Sequence, residues 1–310
     1  MILNQSFVGI DVSRAHLDIF LEGAARPTRI DNESKAIAAF LASLGERQAT
    51  IVFEATGPYD GALRRAIAAA GLSAMRVNPA RARDFARAAG YLAKTDAVDA
   101  RMLAAMGRAI AAPRAEAIDP ERERLSALTR QRDHLVCVRA DQKKRRLQCT
   151  EPVVAASIER HIAYLSQEIE IVECEIETMV QASSSLAETK RILISAPGVG
   201  EVTATTLIAH MPELGKRSPK TIAALAGLAP LNNDSGERRG RRAIRGGRTH
   251  VRRVLYMAAL SAIRKVPRFA AAYQAIAARA HSRKVAIIAV ARKLLVALNA
   301  MLANQQLFRA

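Results

Sequence analysis

Tryptophan is absent from this 310-residue chain, and aromatic residues make up only 4% of it. Any core must therefore be aliphatic, and Ala, Leu, Ile and Val supply most of a 50% hydrophobic content, which favours helices. Cysteine is scarce: Cys137, Cys149 and Cys174 are odd in number and too widely spaced for a metal knuckle. They exclude a disulfide framework and read as reduced thiols of a cytoplasmic protein. No basic segment leads into an apolar one at the N-terminus, so no secretory signal is expected. Long uncharged apolar runs are also missing. The most apolar late stretch, Val285 to Leu302, is interrupted by Arg292 and Lys293. It is expected as a buried or amphipathic helix rather than a membrane span. Acid is the scarcer charge, with 29 Asp and Glu against 47 Lys and Arg, a net +18. That excess points to polyanions, nucleic acid first and anionic membrane second.

Residues 1–112 alternate strand and helix signals. Phe7 to Val12 reads as a strand, and Leu17 to Leu21 as its hairpin partner across a Ser13-Arg14 turn. A helix is expected over Ser34 to Leu44. Thr50 to Glu54 is almost wholly apolar, as in a strand buried on both faces. Gly57-Pro58 breaks it and is expected to open a helix, with Pro at the first helical position. Leu72 to Val77 reads as another strand, and Ala80 onward as helix. Residues 120–188 change to long helices. Ile158, Ile162, Leu165, Ile169, Val172, Ile176 and Met179 recur at steps of four and three, the pattern of a coiled-coil seam. A basic helix before Glu151-Pro152 and an acidic one after it suggest a hairpin, with two ordinary solvated faces as the alternative. The seam can pair within one chain or between chains, and an intersubunit contact is the favoured expectation. Residues 190–310 read as a mostly helical C-terminal domain opening on Pro197-Gly198-Val199-Gly200. That turn resembles a helix-hairpin-helix element, with a plain interhelical turn as the alternative.

Two constellations carry chemistry. Asp11 ends the first strand, Glu54 ends the buried strand, and Asp96 and Asp99 share one helix face at i and i+3. Carboxylates at neighbouring strand ends, joined by others from a helix, suit one or two Mg²⁺ or Mn²⁺ ions in phosphodiester displacement. For Asp96 and Asp99 the competing role is helix capping. The second constellation is basic and glycine-rich. Arg238, Arg239, Arg241, Arg242, Arg245, Arg248, Arg252 and Arg253 fall within sixteen residues, just after Asn232-Asn233-Asp234-Ser235-Gly236. Arginine forks bind phosphate bidentately, and glycine lets backbone approach it. A solvated basic loop is the alternative. Ser235 is a weak nucleophile alone but can be activated beside arginines and metal.

With both constellations in hand, the chain resembles the insertion-sequence 110 type of transposases, which includes the Piv-type DNA invertases. The likeness is carried by Gly9-Ile10-Asp11-Val12-Ser13, Phe53-Glu54-Ala55-Thr56-Gly57, Lys94 to Ala100, Pro197 to Gly200, Ser235-Gly236 with its arginines, and Val290 to Leu295. It implies a RuvC-like (RNase H) α/β domain whose metal-binding acids fall on Asp11, Glu54, Asp96 and Asp99. It also implies a helical C-terminal domain whose nucleophilic serine falls on Ser235. The implied partners are donor and target DNA, a structured guide RNA and other copies of the chain, as a dimer or tetramer. A hydrolytic RuvC-type nuclease would explain the acids but not the Ser235 segment. A non-catalytic nucleic-acid binder would explain the charge but not the acids.

Overall fold

The computed structural model describes residues 6–45, 49–55, 57, 59–91, 95–110, 119–232, 234, 236, 240, 242–280 and 282–309. They form two compact units, 1–119 and 120–310.

The first unit is built on a five-stranded sheet. Its strands are β1 (Ser6–Val12), β2 (His16–Leu21), β3 (Thr28–Asp31), β4 (Ala49–Glu54) and β5 (Ser73–Val77), in spatial order β3-β2-β1-β4-β5. β1, β2 and β3 form an antiparallel meander, and β4 and β5 run parallel to β1. Strand alternation sorts side chains between two layers. Val8, Ile10, Val12, Ile51 and Phe53 pack toward α1 (Ser34–Ser43) and α2 (Gly61–Ala69). On the other face Val52, Met75 and Val77 meet α3 (Pro79–Ala88) and α4 (Asp96–Ala109). β4 is buried along its length, as its apolar run predicts. One strand has no signal in the sequence, and one expected helix start is corrected. β3 was not anticipated, because it is an exposed edge strand and shows no apolar alternation. The helix expected at Gly57-Pro58 starts later, at Gly61, after Asp60, whose buried carboxylate pairs with Arg76 at 2.7 Å; Pro58 lies outside the described residues.

Two glycines set the distance between α4 and the sheet. A Cβ on Gly9 would collide with the carbonyl oxygen of Ala100 and the amide nitrogen of Ala104. A Cβ on Gly107 would stand 2.8 Å from the Phe7 ring. Backbone thus meets backbone where β1 crosses α4.

The second unit opens with a helical hairpin of α5 (Pro120–Gln148) and α6 (Pro152–Ala182). Pro152 takes the first helical position of α6, and the Glu151 carboxylate accepts from the Val154 amide at 2.7 Å. Leu165 and Ile169 are buried against Leu135, with Val136, Val138 and Val172 around them. Arg132–Glu173 (2.8 Å), Arg146–Glu159 (2.6 Å) and Arg124–Glu175 (3.4 Å) cross between the helices, basic on α5 and acidic on α6. Exposed pairs contribute about 0–1 kcal/mol each, so the buried aliphatic seam carries the association. The seam packs on α5 of its own chain, and Ile176 and Val180 enter the C-terminal core. The described seam thus closes on a helix of its own chain, the hairpin arrangement.

That core is formed by α7 (Ser184–Ile194), α8 (Glu201–His210), α9 (Pro219–Leu225), α10 (Thr249–Lys265), α11 (Pro267–Ala277) and α12 (Arg283–Ala303). Helix α12 is long and apolar enough to cross a membrane, but Val290, Ala291, Leu294, Leu295 and Leu298 have no exposure and lie at the centre of this core. Gly198 adopts φ +91°, and a Cβ there would press on the Ala258 carbonyl and the Ala262 amide of α10. Its conformation answers to helix packing. A short ladder of β6 (Pro230–Leu231) and β7 (Ala243–Ile244) completes the unit.

Candidate active site and basic segment

In the first unit the acids gather for a traceable reason. β1 and β4 are parallel neighbours with Ile10 beside Phe53, so Asp11 and Glu54 follow one residue further along each strand. Both stand on the face covered by α4, since Gly9 and Val52, two residues back, point there too. The Gly9–Ala100 contact fixes the helix against the strand. Asp11 lies two residues beyond Gly9, about 7 Å along the strand, and Asp96 lies four residues before Ala100, about 6 Å along the helix axis. The first turn of α4 is thereby carried to the end of β1. Thr95 caps that turn by accepting from the Val98 amide at 3.3 Å, so neither Asp96 nor Asp99 is needed as the cap.

The electrostatics show Asp11 acted on by the other three acids. The Asp11 carboxyl is pushed up to about 6, first by burial and then by the charges of Asp99, Asp96, Glu54 and Asp18. Among the described residues, no three His, Cys, Asp or Glu side chains make a ready-formed metal cage. The donors are nonetheless all carboxylate oxygens, the chemistry a hard divalent cation prefers. The repulsion felt at Asp11 is what such a cation would relieve. By donor type and mutual charge the set fits Mg²⁺ or Mn²⁺.

Asp18 and Arg29 join this site without having been expected from the sequence. Asp18 faces Asp11 directly across the β1–β2 ladder and is 7% exposed. Arg29 grips it from β3 with Nε at 3.1 Å and Nη2 at 2.9 Å, and Nη2 also reaches Asp96 Oδ2 at 2.9 Å. The available signal was an acid inside the apolar run Leu17-Asp18-Ile19-Phe20.

In the second unit, Ser235, Arg238, Arg239 and Arg241 lie outside the described residues. Among the described residues of this segment, Asp234 Oδ1 accepts from the Gly240 amide at 3.0 Å, and its Oδ2 meets Arg242 Nη1 at 2.7 Å. Hydrogen bonding from Arg242 holds the Asp234 carboxyl below its usual range. Arg245 is exposed and makes no ion pair among the described residues. The remaining three arginines serve the protein's own contacts. Arg248 clasps Glu213 at 2.5 and 2.6 Å and donates to the His210 carbonyl, Arg252 donates to the Gly246 carbonyl at 2.6 Å, and Arg253 pairs with Asp133. The basic segment therefore contains both structural and outward-facing arginines.

Comparison with known proteins gives two family matches along the chain. Residues 8–150, which include all four acids, match the model of the IS110 DEDD transposases. Residues 190–274, which include Ser235 and the arginines, match the transposase IS116/IS110/IS902 family. The pilin gene-inverting proteins of Moraxella bovis and Moraxella lacunata are each 26% identical over 249 residues, covering 79% of this chain and 77% of theirs. An insertion element IS110 protein of Streptomyces coelicolor, of 43.6 kDa, is 28% identical over 156 residues, 49% of this chain and 37% of its own. Sheet, acids and basic segment fall within two matches to the same group, in the same order along the chain, and the chain belongs to the IS110-type transposases.

Proposed function

We propose that this chain cuts and rejoins DNA through a covalent phosphoserine intermediate. The observation that carries the reading is the gathering of carboxylates around Asp11 near the end of β1, in a chain whose relatives include gene-inverting proteins. The β3-β2-β1-β4-β5 order, with an antiparallel meander leading into parallel β4 and β5, supports an RNase H (RuvC-like) assignment for the first unit. Asp11, Glu54, Asp96 and Asp99 would hold Mg²⁺ or Mn²⁺, which supplies charge neutralisation at the scissile phosphate. Ser235 Oγ attacks phosphorus and loses its proton. A serine–phosphate bond forms as the bond to the departing DNA oxygen breaks, and that oxygen takes up the proton. A hydroxyl of the new partner strand later attacks the same phosphorus and gives up its proton as Ser235 Oγ leaves and is reprotonated. The phosphodiester is conserved throughout, which hydrolysis would not allow. Arg238, Arg239, Arg241, Arg242 and Arg245 would neutralise phosphate charge. The four acids lie in the first unit, and Ser235 lies in the sequence of the second. A net charge of +18 suits extended contact with donor and target DNA and with a structured guide RNA. A cytoplasmic homo-oligomer is the form proposed.

Denaturing gel analysis of protein incubated with DNA and Mg²⁺ tests the reading. A DNA-linked band is expected from the parent chain and none from Ser235→Ala, with nucleic-acid binding retained by the variant. Cleavage without a linked band would instead indicate a hydrolytic nuclease, and linkage mapped to another residue would refute the serine assignment.

A further inference from the structure

Arg29 stands 67 residues from Asp96 in sequence yet bridges it to Asp18. The two contacts differ in kind. Asp18 is a buried carboxylate, its side chain 10% exposed, and Arg29 meets it through a two-nitrogen fork. Such a carboxylate strongly favours keeping a cation partner, and the fork leaves the guanidinium plane little freedom. Asp96 is 60% exposed and would ordinarily sample several rotamers, because an isolated exposed pair contributes little. Here the cation is already ordered by Asp18, so the Arg29–Asp96 contact immobilises one side chain rather than two. Arg29 takes Asp96 through Oδ2 alone, and the second carboxylate oxygen is not part of that contact.

We infer that Arg29 is a positioning residue for the metal site, using its fork on Asp18 to hold Asp96 by one oxygen and present the other to a cation. The inference rests on the proposed metal role of the four acids and extends it to a pair of residues on β2 and β3. It also explains why a buried acid lies directly across from Asp11: Asp18 anchors the arginine. Hydrogen-bonded partners behind a metal ligand typically change metal affinity about 10- to 100-fold when removed.

The test is Mn²⁺ binding to the full chain without DNA, followed by the electron paramagnetic resonance signal of the free ion. Arg29→Lys keeps the charge but loses the fork. The double variant Asp18→Asn with Arg29→Gln removes both charges while leaving a neutral hydrogen-bonding pair, which protects the fold. Both are expected to bind Mn²⁺ about tenfold or more weakly than the parent, with the metal-free melting temperature of the double variant unchanged. Weakening of less than tenfold in either variant, or tighter binding, overturns the inference, tighter binding by showing that Arg29 competes with the cation. A lowered melting temperature with unchanged affinity also overturns it, assigning the pair to stability alone. Failure of the parent chain itself to bind Mn²⁺ overturns the metal reading, and this inference with it.

Discussion

At the scale of single residues, the candidate site depends on carboxylates and on one missing methyl group. Asp11→Ala or Glu54→Ala is expected to abolish Mg²⁺-dependent cleavage while DNA binding, followed by gel shift, persists. Full cleavage in excess EDTA would contradict that expectation. Gly9→Ala should be nearly as damaging without touching an acid. Its new Cβ meets backbone atoms of Ala100 and Ala104, which cannot move aside as a side-chain tip can. A destabilisation of about 1–3 kcal/mol is expected from overpacking, read by denaturant titration. Displacing the first turn of α4 by about 1 Å should also lower cleavage on the order of 100-fold. Asp11 and Glu54 were legible in the sequence because a charge closing an apolar strand is conspicuous. Asp18 left a signal as an acid inside an apolar run, but its partner Arg29 did not, since that role depends on the register of β3, whose exposed residues carry no periodic signal. Arginine density was equally plain, but density does not say where each side chain goes. The partner of Arg248 is Glu213, 35 residues earlier.

Among elements, the α5–α6 hairpin shows what a heptad pattern encodes and what it leaves open. The period names the buried face, and Ile158, Leu165, Ile169 and Ile176 are buried as it requires. It does not name the helix that covers that face. Ile169→Ala is therefore expected to cost about 2–5 kcal/mol of folding stability, with the oligomer mass from light scattering unchanged. A change in mass without loss of stability would restore the intersubunit alternative. Where α5, α8 and α10 meet, His210 stacks on His250 with ring centres 5.6 Å apart. Thr129 Oγ1 donates to the Leu125 carbonyl, so it can accept from His210 Nε2 at 2.9 Å. Ser126 Oγ accepts from Arg130 and can donate to His210 Nδ1 at 3.3 Å. This network suits the neutral ring. Burial, then Arg130 and His250, lower the His210 pKa to about 4 from 6.5. The unfolded chain thus binds the extra proton more readily between those values. The contribution to stability is complete above pH 6.5 and is lost as pH falls toward 4. Melting temperature should drop across that window in the parent and drop less in His210→Gln. Parallel curves for the two proteins would exclude His210 as the cause.

For the whole molecule, net charge and fold answer to different arginines. Changing Arg238, Arg239, Arg241 and Arg242 to Gln should flatten the dependence of log K on log salt, by roughly 0.9 for each duplex-DNA phosphate left without its arginine. Arg248→Gln should act otherwise, leaving Glu213 half-buried without its clasp. It is expected to lower stability and keep the salt slope. Equal slopes for parent and quadruple variant would place those four residues away from nucleic acid. The β6–β7 ladder gives this division a polymer-physics consequence. Two residue pairs, Pro230 with Ile244 and Leu231 with Ala243, close the segment 232–242, and Asp234 ties it again to Gly240 and Arg242. The entropy of closing a loop grows only logarithmically, so doubling its length costs about 0.6 kcal/mol. Insertions between Ser235 and Gly240 should therefore leave the melting temperature of the helical core almost unchanged, allowing this segment to diverge in length and charge without a matching change in the core that carries it.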